Sequence, residues 1–381
     1  MFYLMVLVAL VLYGGLNYYV GLRGWQILVG FLPLLNSKVY WVLFWLIAFS
    51  YIIGQLSGSF LPETIRRIFS VAGAYWLGVL FYSFLLLLAL DVVRLAARVL
   101  HLWPKEIAPV LARSAGAAVL LVVAAVVLYG VWNARQPRIT GYELQLGKKA
   151  GSLESLNIIV AADIHLGTLT RSGYVEDFVN GVNQQTPDIV FLVGDIVEKL
   201  EPRIEEEIAA YFPLIQSKYG TYAVLGNHEY IDGHPEEISR HLSAAGVKVL
   251  RDETVRIGDE FYLIGRDDLA NARSGSVKDL AALMPTAQNE NEQNLPVIVL
   301  DHQPSRLNEA AALGADLQFS GHTHHGQLFP IQYLTRRIFE NDYGYLQKGD
   351  LHSIVTSGYG TWGPPLRVGN HPELVRVILR F

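Results

Sequence analysis

Five short apolar runs in the second half of the chain end on residues able to hold a divalent cation. Residues 158–162 lead into Asp163-Ile164-His165, 189–193 into Gly194-Asp195, and 222–225 into Gly226-Asn227-His228-Glu229. Residues 297–300 lead into Asp301-His302, and 317–320 into Gly321-His322-Thr323-His324. Two Asp, one Asn and four His gathered in one place would be a costly cluster without a cation to compensate it. Oxygen and imidazole donors suit hard and borderline divalent metals. The chain has no cysteine, which removes thiolate ligands, disulfides and Cys nucleophiles together. Seven or eight donors are too many for one ion. They suit two, with a carboxylate bridging.

The elements that must position these residues follow from the texture around them. Short β-branched runs alternate with amphipathic segments, the sign of an α/β domain. Ligands of such sheets sit outside the carboxyl ends of the strands, so five strand ends should converge. Glycines before Asp195, Asn227 and His322 let the backbone turn sharply there. Asp163 and His165, like His322 and His324, are separated by one residue, a spacing that on extended backbone points both side chains the same way. The same rule directs His325 away from His324.

With Asp163-x-His165, Gly194-Asp195, Gly226-Asn227-His228-Glu229, His302 and Gly321-His322-x-His324 in this order, the chain resembles the calcineurin-like metallophosphoesterase superfamily over about residues 156–381. His302-Gln303-Pro304, the run from Gly321 to Gln327 and on to Pro330, and the tail from Ser357 through Arg367 to Pro372-Glu373 are similar to its membrane-associated bacterial phosphodiesterase branch. The resemblance implies a two-sheet β-sandwich flanked by helices. It also implies two divalent metals (Mn, Fe or Zn). One would take Asp163, His165, Asp195 and His324, the other Asp195, Asn227, His302 and His322. Catalysis would be direct attack by a metal-bridging hydroxide, with His228 stabilising the oxyanion and protonating the leaving oxygen, or else only orienting substrate. His325 stands where the branch usually has Gly, and Glu198 where an Asp is common; Glu198 reads as peripheral. His325 and Arg367 are candidate substrate contacts, with a loop-fixing role the alternative for Arg367. His234, His241, His352 and His371 read as solvent or loop histidines, and Gln303 and Gln327 as ordering backbone.

The first part of the chain has a different composition. The whole is 51% hydrophobic and 17% charged, against the roughly 25% charge of ordinary soluble chains. Residues 1–133 carry eight basic and three acidic groups, net +5, and the remainder 22 and 32, net −10. Apolar stretches at about 2–22, 39–60, 68–90 and 114–134 are each long enough to cross a bilayer as a helix. We therefore expect a multi-span α-helical membrane domain over 1–134, a linker at 135–152 with an entry strand over 140–150 as the alternative there, and the α/β phosphoesterase domain over 153–381. Residues 24–37 contain Pro33 and read as an interfacial or re-entrant piece, and 288–294 as a surface loop. Loops at 23–38 and 91–113 carry six Lys/Arg against four on the other side, counting Arg135 and Arg138. That bias puts the catalytic part outside the cytoplasm of a bacterial cell membrane. Glu63, Asp91 and Glu106 fall at or beyond span ends, so no ion pathway is indicated.

Membrane lipids are the expected surroundings and a phosphodiester or lipid-linked phosphate the expected substrate, since four spans exceed what an anchor requires. The alternatives are a nucleotide or cyclic-nucleotide phosphodiesterase, and a membrane sensor or scaffold with an inactive metal fold. The acidity of the second part disfavours nucleic acid as a partner.

Overall fold

The computed structural model describes residues 2–104, 109–274, 277–286 and 294–381. Most of the expected 288–294 loop, and Lys105 and Glu106 of the charge count, lie outside these residues. Two compact units divide the chain: residues 1–132 with 363–366, and residues 133–362 with 367–381.

The first unit is helical, with α1 (Phe2–Phe31), α2 (Ser37–Ala48), α3 (Ser50–Leu56), α4 (Glu63–Val99) and α5 (Pro109–Asn133). Among the described residues three helices are long and apolar enough to cross a membrane, or four if α2 and α3, bent by 47° at their junction, form one span. Residues 24–31, expected as an interfacial piece, simply continue α1, which stops short of Pro33 because proline removes a donor and crowds the preceding turn. Likewise α4 runs on past the apolar window at 68–90 to Val99. Val20, Leu80, Leu87, Val119 and Val123 form the buried centre of this unit. Asn17, fully buried, accepts from Trp76 Nε1 (2.9 Å) and donates to the Tyr13 carbonyl (2.9 Å), so its amide is satisfied within the bundle.

The second unit is built on two mixed six-stranded sheets. The first has the order β1 (Arg138–Gln145), β12 (Glu373–Arg380), β2 (Ser155–Ala161), β3 (Ile189–Val193), β4 (Thr221–Val224), β5 (Val247–Val249). The second has the order β10 (Gly344–Lys348), β11 (Leu351–Val355), β9 (Leu317–Ser320), β8 (Val297–Leu300), β7 (Phe261–Gly265), β6 (Glu253–Ile257). β1, inside the expected linker, pairs in parallel with β12, Arg138 opposite Glu373.

The period-two pattern of each strand decides the layers. Ile158, Val160, Phe191 and Val193 join Leu263, Ile298, Leu300 and Phe319 in the core between the sheets. Their neighbours Ile159, Ala161, Val190 and Leu192 turn outward, where α6 (Tyr174–Asn183), α7 (Pro202–Tyr211) and α8 (Pro235–Ala244) cover them with Phe178, Ile208 and Leu242. On the far side Ile264, Val297 and Val299 pack against Leu280, Leu283 and Leu307. Because β2, β3 and β4 are parallel to one another, as are β7, β8 and β9, their carboxyl ends open on one edge of each sheet.

Candidate metal centre

All five chemistry-bearing strand ends meet. The backbone that brings them together is not extended: Asp163 (φ 52°), His165 (52°), Asp195 (49°), His322 (71°), His324 (48°) and His325 (45°) lie in the left-handed region. L-residues adopt that region at a cost, and clusters of such residues mark functional sites. Convergence therefore comes from tight turns just past each strand and not from alternation along it. The Asp163 N–H donates to the Gly194 carbonyl and the His165 N–H to the Asp195 carbonyl, both at 3.0 Å, which ties the ends of β2 and β3 together. Gly194 (φ 79°) serves the turn expected of it. Gly226 serves another purpose: its φ is −107°, and a Cβ there would collide with the Asp195 carboxylate and backbone nitrogen.

Asp163, His165 and His324 offer donor atoms in one tight group, and Asp195, His302 and His322 in another, each group lying within 4.8 Å. Asp195 faces both, with Oδ2 3.1 Å from His302 Nε2 and 4.0 Å from His165 Nε2. Asn227 joins the second group, its Oδ1 2.8 Å from His322 Nδ1. The seven residues expected as ligands are thus brought to one place.

Their state fits a cation-binding role. His302 donates from Nδ1 to the Val193 carbonyl (2.8 Å), leaving its buried Nε2 with no hydrogen bond despite the nearby Asp195. An imidazole fixed through one nitrogen by a backbone carbonyl is how proteins prepare the other for a metal. The Nε2 atoms of His165 and His324 stand 3.0 Å apart, close enough for one cation to take both. Burial raises the Asp163 carboxyl, with His302 and His165 opposing it. Burial acts the same way on Asp195, but His302 above all, then His165 and His228, holds its carboxyl well below the usual range. Burial, reinforced by the His302 charge, brings His322 down to about 4, a neutral ligand at physiological pH.

His228 lies at the rim of the cluster, its Nε2 4.0 Å from Asp195 Oδ2 and its ring 5.8 Å from Trp362. Its backbone N–H donates to Asp195 Oδ1 (2.8 Å), and this fixes that carboxylate from the other side. Glu198 is not peripheral. Its Oε2 lies 2.7 Å from His165 Nδ1 and 2.8 Å from His228 Nδ1, so one carboxylate oxygen orients both rings. Burial would raise this acid, but the two imidazole hydrogen bonds outweigh it and hold Glu198 down to about 2. Glu229, fully buried, accepts the N–H groups of Gly226 (2.7 Å), Val197 (2.9 Å) and Asp195 (3.2 Å), clamping two of the ligand-bearing turns.

The two expected substrate contacts sit elsewhere. Arg367 is completely buried, and its Nη2 donates to the carbonyls of Ser357 (2.7 Å) and Gly360 (2.6 Å). Its guanidinium, 3.3 Å from His324 Nδ1, holds the 357–360 loop against the ligand turn, the geometry of its loop-fixing alternative. His325 stacks on Tyr343 (4.4 Å between ring centres), with Nδ1 3.4 Å from Asp342 Oδ2, outside both donor groups. Gln327 orders backbone as expected, exchanging hydrogen bonds with the Trp362 main chain, whereas Gln303 instead donates to the Asp268 carboxylate. Tyr359 packs into the core beside α6, and Trp362 stays largely exposed.

Residues 156–326 match the calcineurin-like phosphoesterase family. A metallophosphoesterase of Aquifex aeolicus is 33% identical over 245 residues, which cover 64% of this chain and 92% of that one. The chain belongs to the calcineurin-like metallophosphoesterases. A zebrafish relative, described as a transmembrane protein with a metallophosphoesterase domain, is 30% identical over 68% of this chain and 62% of its own length. One from Helicobacter pylori is 34% identical over 56% and 57%, respectively. The chain thus spans about three fifths of these two relatives. As a metallophosphoesterase it combines clustered His and Asp donors suited to divalent metals with N-terminal helices apolar enough for a membrane.

Proposed function

We propose that this chain is a membrane-embedded phosphoesterase that uses two divalent metals to hydrolyse a phosphoester with a lipid part. The donor set supports the chemistry, and the rim of the site supports the substrate class. Phe329, Tyr333, Leu334, Ile338 and Trp362 are all exposed, on and beside the Gln332–Ile338 helix, together with Arg336 and Arg337. That rim touches the centre itself: Phe339, next to Ile338, packs its ring 5.9 Å from His322, and Trp362 lies over His228. Exposed apolar surface of this extent beside a polar centre marks a binding surface. Paired with arginines, it suits an amphiphile whose phosphate enters the site while its chains stay outside. Only residues 134–137 separate α5 from β1, a reach of roughly 14 Å when fully extended. Such a tether supports action close to headgroups.

Two bound cations would supply Lewis acidity and a nucleophile drawn from water at neutral pH. Asp163, His165, Asp195 and His324 would hold one, and Asp195, Asn227, His302 and His322 the other. Glu198 accepts from Nδ1 of His228, which leaves Nε2 as the atom that gives a proton to the departing oxygen. The Lys/Arg bias of the helical part supports a catalytic unit outside the cytoplasm, in a bacterial cell membrane.

Incubating the Mn²⁺-loaded, detergent-solubilised chain with radiolabelled lipid extracts tests this reading. Release of labelled phosphate or headgroup, abolished in Asn227→Ala, is expected. Hydrolysis of cyclic or dinucleotides with lipids untouched would move the assignment to nucleotides. No turnover of any phosphoester by the metal-loaded protein would leave a sensor or scaffold.

A further inference from the structure

His228, the proton donor of the proposed reaction, stands on the short helix Asn227–Asp232. Most of its neighbours there are committed to the protein. Asn227 meets His322, Glu229 clamps buried N–H groups, and the Tyr230 hydroxyl donates to Asp267. Asp232 accepts the Leu200 N–H (3.2 Å) and lies 3.3 Å from His234 Nδ1. Ile231 is the exception. It is 70% exposed and stands three residues after His228, a spacing that puts both side chains on one helix face.

A second apolar group reaches the same imidazole from a distant segment. The indole of Trp362 meets the His228 ring edge to face, 5.8 Å between centres and 66° between planes, and stays 55% exposed. The backbone before it is tied to the turn that carries Asp163: the Tyr359 N–H donates to the Ala162 carbonyl (2.9 Å) and the Gly360 N–H to the Asp163 carbonyl (2.7 Å). A Cβ on Gly360 would collide with the Ile164 carbonyl oxygen, so only glycine allows this approach. Gln327 accepts the Trp362 N–H (2.8 Å) and donates to its carbonyl (2.9 Å). The main chain is thus fixed and the ring is left in water.

Apolar side chains scattered singly over a surface need no explanation. Two that adjoin the group giving up a proton form a place where an apolar ligand gains by leaving water. Whatever packs there is bonded to the oxygen that His228 protonates.

We propose that Trp362 and Ile231 form the leaving-group subsite, and that the alcohol released is the apolar half of the phosphoester. Water adds to phosphorus and the P–O bond to that alcohol breaks. The departing oxygen keeps the bonding pair and takes the proton from His228 Nε2; the added water gives up a proton to solvent, from which His228 regains its own. Phosphate stays on the polar half. A diester joining a lipid alcohol to a polar headgroup then yields the free lipid alcohol and a phosphorylated headgroup, not a phosphorylated lipid. The proposal rests on the phosphoesterase reading and specifies which ester bond is cut.

The full chain, Mn²⁺-loaded in detergent, is given glyceryl hexyl phosphate, a soluble diester with one polar and one apolar arm, and its products in ¹⁸O-water are counted by mass spectrometry. Hexanol with labelled glycerol phosphate should exceed glycerol with labelled hexyl phosphate roughly tenfold, the worth of about two methylene groups taken out of water. Trp362→Ala should lower this ratio about tenfold and Ile231→Ser about threefold, while Trp362→Phe keeps most of it. Partial unfolding or lost metal lowers both products together and leaves the ratio unmoved. Calorimetry gives a readout without turnover: hexylphosphonate should bind roughly tenfold more tightly than methylphosphonate, a preference lost in Trp362→Ala. Glycerol as the main alcohol, a wild-type ratio in Trp362→Ala, or equal binding of the two phosphonates would overturn the proposal and leave the phosphoesterase reading standing. No hydrolysis of this diester or any other phosphoester would overturn that reading, and the proposal with it. The soluble diester reports the direction of cleavage independently of turnover in lipid extracts.

Discussion

Two buried polar groups, one in each unit, are treated in opposite ways. In the helical unit Asn17 is enclosed as completely as any residue of the centre, yet its amide is matched by Trp76 and the Tyr13 carbonyl. In the α/β unit His302 Nε2 is left without a hydrogen bond, and two imidazole nitrogens crowd to 3.0 Å. Fully paired groups hold a fold together, whereas donors gathered without partners call for a ligand. Backbone strain also gathers at this site, since Asp163, His165, Asp195, His322 and His324, beyond β2, β3 and β9, sit at positive φ. The metal centre is structure held ready for something the polypeptide does not itself contain.

The contrast breaks most plainly at Asp195. Removing its carboxylate (Asp195→Ala) should cost roughly 10³-fold in turnover, the several kcal/mol that metal ions supply to transition-state charge. Unchanged turnover on a chromogenic phosphodiester, or undiminished metal content by mass spectrometry, would break it. Chelation should abolish activity reversibly. It should also destabilise the protein by about 3–4 kcal/mol for each metal present at 100–1,000 times its dissociation constant, read as a lowered melting temperature that added Mn²⁺ restores. Glu198→Gln should cost about 10–100-fold, typical of groups that orient metal-bound histidines, and an undisturbed pH–rate profile would return Glu198 to the periphery.

In the helical unit Asn17→Ala should leave metal content and turnover unchanged while costing about 0.6–2 kcal/mol of stability in detergent. A loss of metal there would show that the two units are not separable. The smallest effect is expected at Glu309, which accepts from Arg266 Nη1 (2.7 Å) and the Leu280 N–H (3.0 Å). Burial would raise this acid, but Arg266 and the Leu280 N–H hold it below its ordinary value of 4.5. A lowered folded value contributes stability above the unfolded value and loses it as the pH falls through the folded one. Glu309→Gln should therefore cost about 1 kcal/mol at pH 7, a difference that shrinks as melts are repeated below pH 4.5. A difference that grows toward acid would contradict the assignment.

The existence of the apolar helices and the order of the ligand-bearing strands were legible in the sequence because each is written locally. Charge-free length marks a span, and a β-branched run ending on Asp or His marks a strand end. What was not legible depends on partners distant in sequence. The bend between Ala48 and Ser50 carries no proline or glycine, so the apolar window at 39–60 reads as continuous. Glu198 looked incidental three residues after Asp195, since its role depends on two imidazoles from other segments. Arg367 invited a phosphate until the carbonyls of 357–360 proved to surround it. Residues 140–150 offered an entry strand inside the connector, but its bounds and its partner, more than 200 residues later, were not legible.

That last pairing bears on how the protein is made. β12 lies between β1 and β2, bonded to both. A growing chain carries β1 and β2 for the whole time it takes to synthesise the residues up to Glu373, roughly 10–50 s at common elongation rates. Until then the earliest two strands of this sheet have bare edges, a state that invites mispairing between nascent chains. The apolar helices precede them and can insert first, so bilayer insertion can hold neighbouring unfinished chains apart while their first sheet waits for its middle strand.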